Sequence, residues 1–264
     1  MTQTMQRRLD RRPPVALFSL PLLVLALLFV LSGAAHAQDA RAILKSAFEN
    51  WRANSSHAIV EMTVKRSSGT RTMTMESWTE GETKALVRFT APARDAGNAT
   101  LQLGSSTYVF NPKLNQVIKL PASAMMQSWM GSDFSYDDLA RSQKVVDDYT
   151  HTLLGTSSSG GKTIYKIQSV PKRGKPIVWG KQIIDVRSDG VLQSVEYYDQ
   201  LGKRVRIMTA DKIGTLGGRP YPTVMTMKTD AKPGQYTRVT TKSAQFDIDL
   251  PSYLFTQSNL QNPR

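Results

Sequence analysis

The sequence predicts a mainly β (α+β) chain built on an antiparallel sheet large enough to curl into a barrel or half-barrel, with a few helices against it. Three observations carry this. From Ala58 onward, short runs with alternating apolar residues recur to the C-terminus, separated by Gly, Pro, Asn and Ser turns. Two stretches break that rhythm with helix-compatible residues, one before the first strand and one in mid-chain. The chain has no cysteine, so its fold must rest on an apolar core and not on disulfides.

The first 37 residues read as a signal peptide. Arg7, Arg8, Arg11 and Arg12 form a basic start, Val15 to Leu31 is apolar, and Ala35-His36-Ala37 is an A-x-A cleavage site. Cleavage after Ala37 leaves a working domain of 38–264, expected in the periplasm. An uncleaved anchor is the competing reading, because the apolar run is near the lower limit for a membrane span. Pro21, Ser19 and the A-x-A site favour cleavage. With no cysteine at the cleavage site, a diacylglyceryl anchor is excluded. The net charge is +13, and loss of Arg7, Arg8, Arg11, Arg12 and Asp10 with the leader reduces it to +10. Such a surface can attract anionic lipid head groups. Nucleic acid is not an expected partner outside the cytoplasm.

In the order of the chain, Asp39 caps a helix over Ala40 to Trp51, whose Ile43, Leu44, Ala47, Phe48 and Trp51 form one apolar face. This helix is expected to lie on the sheet; a membrane-surface or partner-binding helix is the alternative. Next comes a hairpin, AIVEMTVKR (58–66) and RTMTMESWTE (71–80), with Met73 and Met75 on one side and Trp78 on the other. KALVRFT (84–90), Thr100–Leu103, Tyr108–Phe110 and Val117–Leu120 complete the first strand series. Pro121 then suits the first turn of a helix over Ala122 to Met130. Ser135 is a second N-cap, with Asp138 three residues on and Phe134 and Leu139 placed as a hydrophobic staple. Strands resume over Val145–Leu154, Thr163–Val170, Ile177–Val186, Val191–Tyr198, Arg204–Thr209, Thr223–Thr229 and Tyr236–Phe246.

Catalytic patterns are weak. His57 and His151 stand alone at strand edges, without metal-ligand spacing. Asp137-Asp138 and Asp147-Asp148 read as caps or solvated faces before they read as a cation site. Gly131-Ser132-Asp133 lacks a G-x-S-x-G context, so a hydrolase using Ser132 or Asp133 is a minor alternative. No cofactor and no metal are expected. What stands out is the load of methionine (Met62, Met73, Met75, Met125, Met126, Met130, Met208, Met225, Met227) and tryptophan (Trp51, Trp78, Trp129, Trp179). Methionine adapts to variable apolar ligands, though it also fills ordinary cores.

One stretch resembles a known family. A strand, an Asn-Pro turn, a second strand ending in Leu-Pro, and then Met-Gly-Ser-Asp-Phe-Ser-Tyr-Asp-Asp-Leu (130–139) are similar to LolA-like outer-membrane lipoprotein-sorting proteins. SWTEGETKALVRFTAP (77–92), VEYYDQLGKRVR (195–206), GGRPYPTVMTM (217–227) and FDIDLPSYLFTQSNL (246–260) extend the resemblance over nearly all of 38–264. It implies an incomplete, strongly curved antiparallel β-barrel with helices filling or covering its concave side. It further implies a periplasmic carrier of lipid or lipoprotein acyl chains, working between an inner-membrane transporter donor and an outer-membrane acceptor as a monomer. The expected ligand or lid contacts are Trp78, Phe89, Phe110, Met126, Trp129, Met130 and Phe134. The lid is expected to be made by the helices over Asp39–Trp51 and Ala122–Arg141, with Gly131, Ser132, Asp133, Ser135 and Asp138 as its hinge and cap. The LolA carrier has an Arg-Pro shortly after the tryptophan matching Trp78, and that arginine helps hold its lid closed. Here Thr79-Glu80-Gly81-Glu82-Thr83 has no arginine. An RseB-like lipid-sensing adaptor, acting on a membrane partner, is the alternative on the same fold.

Overall fold

The computed structural model describes residues 40–141 and 144–264. The expected signal peptide, its expected cleavage after Ala37 and the expected Asp39 cap lie outside the described residues. Among those described, no helix is long and apolar enough to cross a membrane.

Thirteen strands form one sheet. They are β1 (Ser55–Arg66), β2 (Gly69–Glu80), β3 (Lys84–Ala91), β4 (Ala99–Leu103), β5 (Ser106–Asn111), β6 (Gln116–Lys119), β7 (Tyr149–Ser159), β8 (Lys162–Pro171), β9 (Lys181–Arg187), β10 (Leu192–Tyr198), β11 (Arg204–Leu216), β12 (Arg219–Thr229) and β13 (Tyr236–Phe246). The order is β6-β5-β4-β3-β2-β1-β13-β12-β11-β10-β9-β8-β7, antiparallel throughout. Every neighbour is the next strand in sequence except β1 and β13, which join the two halves. The ladder does not close between β6 and β7, so the sheet is an open, curved half-barrel, as expected. Strands β11 and β12 run longer than the sequence reading, because the tight Gly217-Gly218 turn lets the ladder continue to Leu216 and Arg219.

Strand alternation sends apolar side chains to both faces. On the concave face lie two clusters. One joins helix α1 (residues 40–52) to the C-terminal half, through Leu44, Ala47 and Phe48 against Ile167, Ile184, Val195 and Met208. The other joins Val60, Met62, Met73, Met75 and Phe89 to Trp129 in the N-terminal half. A third cluster lies on the convex face. There Leu86, Leu101 and Phe110 are covered by Leu254, Phe255 and Leu260 of the C-terminal segment, which ends in helix α4 (Gln257–Gln261). The Arg88 guanidinium fixes that segment by donating to the carbonyls of Asn259 at 2.7 Å and Leu260 at 3.2 Å.

Two sequence expectations need correction. The helix over Ala122–Met130 does not form; only 3-10 turns at Ala122–Ala124 and Trp129–Gly131 are present. Backbone groups that a helix would use bond across the loop instead: Trp129 N–H donates to Phe134 O at 2.8 Å, and Asp137 N–H to Met125 O at 2.8 Å. Left-handed φ angles at Met130 (51°) and Gly131 (71°) end any helix there. The lid expected over Ala122–Arg141 is therefore a folded-back loop followed by a short helix α2 (Tyr136–Arg141). The strand expected to start at Val145 starts at Tyr149. Val145–Asp148 is a single helical turn, α3, closed by amides of Asp147 and Asp148 on the Lys144 carbonyl.

Candidate functional site: an apolar cavity under a latched cover

The two concave clusters do not merge. Between them lies a cavity of about 320 Å³, at the lower end of the ~300–1,000 Å³ usual for small-molecule sites. Its C-terminal wall is apolar, with Ile184, Leu192, Val195, Met208 and Met225. Its N-terminal wall includes Ala58, Val60, Met75 and Val87, but also Ser56, Ser77, Thr79, Thr100, Gln102 and Thr107. Phe48, Trp51 and Arg52 of α1 close one side. Trp129, Phe134, residues of α2, and Lys144, Val145 and Asp148 close another.

The cover is held by arginines from the sheet. Arg206 on β11 is buried, pairs bidentately with Asp138, and donates to the Asp133 carbonyl at 3.2 Å. Its guanidinium lies over Trp179 and Tyr197, 4.4 Å and 4.2 Å from the ring centres. Burial opposes its charge, but the carboxylate of Asp138 and the other neighbours outweigh it and raise the guanidinium above its ordinary value. The Tyr197 phenol is pushed far up by burial. Arg66, at the end of β1, bonds Asp133 Oδ2 at 3.0 Å and the Gly131 carbonyl at 2.8 Å. Thr237 and Thr229 complete the Asp133 carboxylate. Arg71 of β2 donates to the Met130 carbonyl. No arginine stands at 79–83 after Trp78, and three arginines from elsewhere on the sheet grip this cover.

Ser135 and Asp138 form a reciprocal capping box: Ser135 N–H donates to Asp138 Oδ2 at 2.7 Å and Asp138 N–H to Ser135 Oγ at 3.2 Å. Phe134 and Leu139 both pack on the N-terminal concave cluster. Ser132 Oγ bonds only within its own loop, accepting from Phe134 N–H at 3.1 Å. His57 bonds Glu76, and His151 bonds Ser169 and the Val146 carbonyl. So Ser132 and Asp133 have neither the exposure nor the base of a nucleophile–acid arrangement. Among the described residues no group of three or more His, Asp or Glu side chains could hold a metal ion.

The residues expected at the ligand divide four ways. Trp129 and Phe134 line the cavity. Trp129 donates from its indole to Thr100 Oγ1 at 3.1 Å and packs on Phe89 at 5.3 Å between centres. Phe89 and Met130 stand behind that wall, in the same cluster. Trp78 and Phe110 do not reach the cavity. Each points to the convex face, Trp78 stacked on His57 and both packed in the cluster under the C-terminal segment. Met126 projects into solvent, 41% exposed. The C-terminal half also contributes to the lining, with Ile184, Leu192, Val195, Met208 and Met225, of which the sequence reading named only the two methionines. Phe48 and Trp51, on the apolar face of the first helix, close the cavity from the side where a lid helix was expected.

Fold and site together define a class: open antiparallel half-barrels with a helix-covered apolar cavity. A family model described as an uncharacterized protein matches residues 81–262, and the chain belongs to that family. Its fold is LolA-like. It resembles a DUF1329 family protein from Desulfovibrio piger, with TM-score 0.77 and 20% identity over 85% of this chain and 99% of that one. It also resembles a domain assigned to outer membrane lipoprotein sorting from Vibrio parahaemolyticus, with TM-score 0.74 and 22% identity over 85% and 99%. A LolA superfamily protein from Nitrosomonas europaea gives TM-score 0.69 and 22% identity over 83% and 98%. No curated protein matches the sequence.

Proposed function

We propose that this protein is a periplasmic carrier that holds the acyl chain of a lipid or lipoprotein in the concave cavity and moves it towards the outer membrane. The observation that carries the reading is the gap between two buried apolar clusters, roofed by a segment held to the sheet by side chains and not by strand pairing. Burial of an acyl chain is worth about 0.8 kcal/mol per CH₂ against water, so a chain of ~16 carbons gains roughly 13 kcal/mol. Against a bilayer the transfer is close to neutral, since both environments are apolar. Loading and release then depend on what opens the cover and on the donor and acceptor, an inner-membrane transporter and an outer-membrane partner. Export with a leader cut after Ala37 places the chain between them. In this reading Trp129 and Phe134 touch the ligand, and the loop around Gly131-Ser132-Asp133 is the hinge of the lid.

Uptake of a fluorescent fatty acid by the purified protein tests this. Enhanced emission is expected for the native chain. Ala58→Trp, which projects into the cavity from β1, is expected to abolish it while circular dichroism stays native. Absence of uptake by the native chain, or equal uptake by a folded Ala58→Trp, argues against the carrier.

A further inference from the structure

The cavity is chemically two-sided, and its polar end contains side-chain atoms without a protein partner. Gln102 and Thr107 face one another across the β4–β5 ladder and are 5% and 3% exposed. Gln102 Nε2 donates to the Ala140 carbonyl of the cover at 2.6 Å, but its Oε1 has no donor. Thr107 Oγ1 has no partner. Arg52, at the end of α1, donates from Nη2 to the Lys84 carbonyl at 2.6 Å, while its Nε–H is unpaired. Lys84 pairs with Leu103 and Ala85 with Gln102, so the three side chains meet at one end of β3, β4 and β5. All three line the cavity. Unpaired buried polar atoms are rare in folded proteins, and three at one cavity end call for a ligand that bonds them.

The kinds of atom define that ligand. Arg52 Nε–H can only donate, Gln102 Oε1 can only accept, and the Thr107 hydroxyl can do either. Burial lowers the Arg52 guanidinium to about 10, with the Glu82 carboxylate opposing, so it keeps its charge at neutral pH. Of the acidic groups in the lining, Asp138 is engaged by Arg206 and Asp148 by Lys175 at 2.6 Å, while Asp137 stands in the first turn of α2. Resting on the carrier reading, we infer that the cavity selects a single-headed amphiphile whose head, held by Arg52, Gln102 and Thr107, carries an anionic oxygen beside a hydroxyl or amide N–H. Its chain lies along the Ile184–Met225 wall. An acylated glycerophosphate has this chemistry; a cationic or donor-free head does not.

The test measures binding of three twelve-carbon probes by quenching of tryptophan emission: lauroyl-lysophosphatidylglycerol, monolauroylglycerol and dodecyltrimethylammonium. The native chain is expected to prefer them in that order. Thr107→Val removes only a hydroxyl that no protein group uses, so its thermal midpoint is expected to stay native or rise. It weakens lauroyl-lysophosphatidylglycerol by about fivefold. Arg52→Gln weakens the same probe by roughly twentyfold, as loss of a charge-assisted bond does. Thr107→Val leaves dodecyltrimethylammonium unchanged, and Arg52→Gln, which removes a like charge, leaves it unchanged or tightens it. Equal affinity for the three probes, or equal loss of all three in the variants, overturns the head-group assignment and leaves the carrier standing. Failure of the native chain to bind any probe overturns both.

Discussion

Replacement of Arg206 by methionine is the most informative perturbation of the cover. It removes a bidentate pair to Asp138, a bond to the Asp133 carbonyl and two ring contacts, all from a buried side chain. Asp138 keeps its bonds to Ser135 but loses its counter-charge in a nearly dry site. Removal of one partner of a buried pair costs about 3–5 kcal/mol, and the aromatic contacts are of order 1 kcal/mol each. The bonds that remain on Asp138 hold the total near the lower part of that range, ~3 kcal/mol, or about 10 °C in midpoint for a chain of this size. Arg206→Met with Asp138→Leu is expected to recover part of the loss, giving a coupling of at least ~1.5 kcal/mol. Chemical denaturation gives the free energies, and stopped-flow fluorescence gives ligand entry, which is expected to speed up in Arg206→Met. A single-variant loss below ~1 kcal/mol, or strict additivity in the double variant, refutes the latch.

Two further outcomes follow from the same geometry. Trp129→Ala removes the indole bond to Thr100 and the packing on Phe89, and is expected to cost about 3–5 kcal/mol by denaturation and to weaken fatty-acid uptake. His151 is buried and neutral, and burial lowers its pKa below the ordinary 6.5, partly opposed by its bond to the Val146 carbonyl. The unfolded chain therefore takes up the proton first as pH falls below about 6.5, and stability declines from there towards the lowered folded value. His151→Gln is expected to flatten the change in thermal midpoint between pH 7.5 and pH 5.5; an unchanged slope contradicts the assignment.

The strands were legible because alternation is a local property: each run from Ala58 to Phe246 carried its own period. The capping box at Ser135 and Asp138 was legible for the same reason, a spacing of three. The folded-back loop was not. Ala122 to Met130 is compatible with a helix by composition, and what defeats it is pairing with Phe134 and Asp137, which no local pattern records. Trp78 is instructive. Its period already placed it opposite Met73 and Met75, yet the family resemblance drew it into the site. The structure puts it on the convex face, where a segment some 175 residues later in the chain covers it. The latch arginines were invisible for a related reason: Arg66, Arg71 and Arg206 stand far in sequence from Met130, Asp133 and Asp138, and grip that segment only once the sheet curves.

The central claim is that the cavity holds an acyl chain in the cell. Native mass spectrometry of the protein released from the envelope without detergent tests it most directly. A species heavier than the bare chain by one acyl-bearing molecule is expected, which dissociates as a lipid or lipoprotein fragment and is missing from Ala58→Trp. A native chain that carries nothing, or a folded Ala58→Trp that carries the same mass, contradicts it.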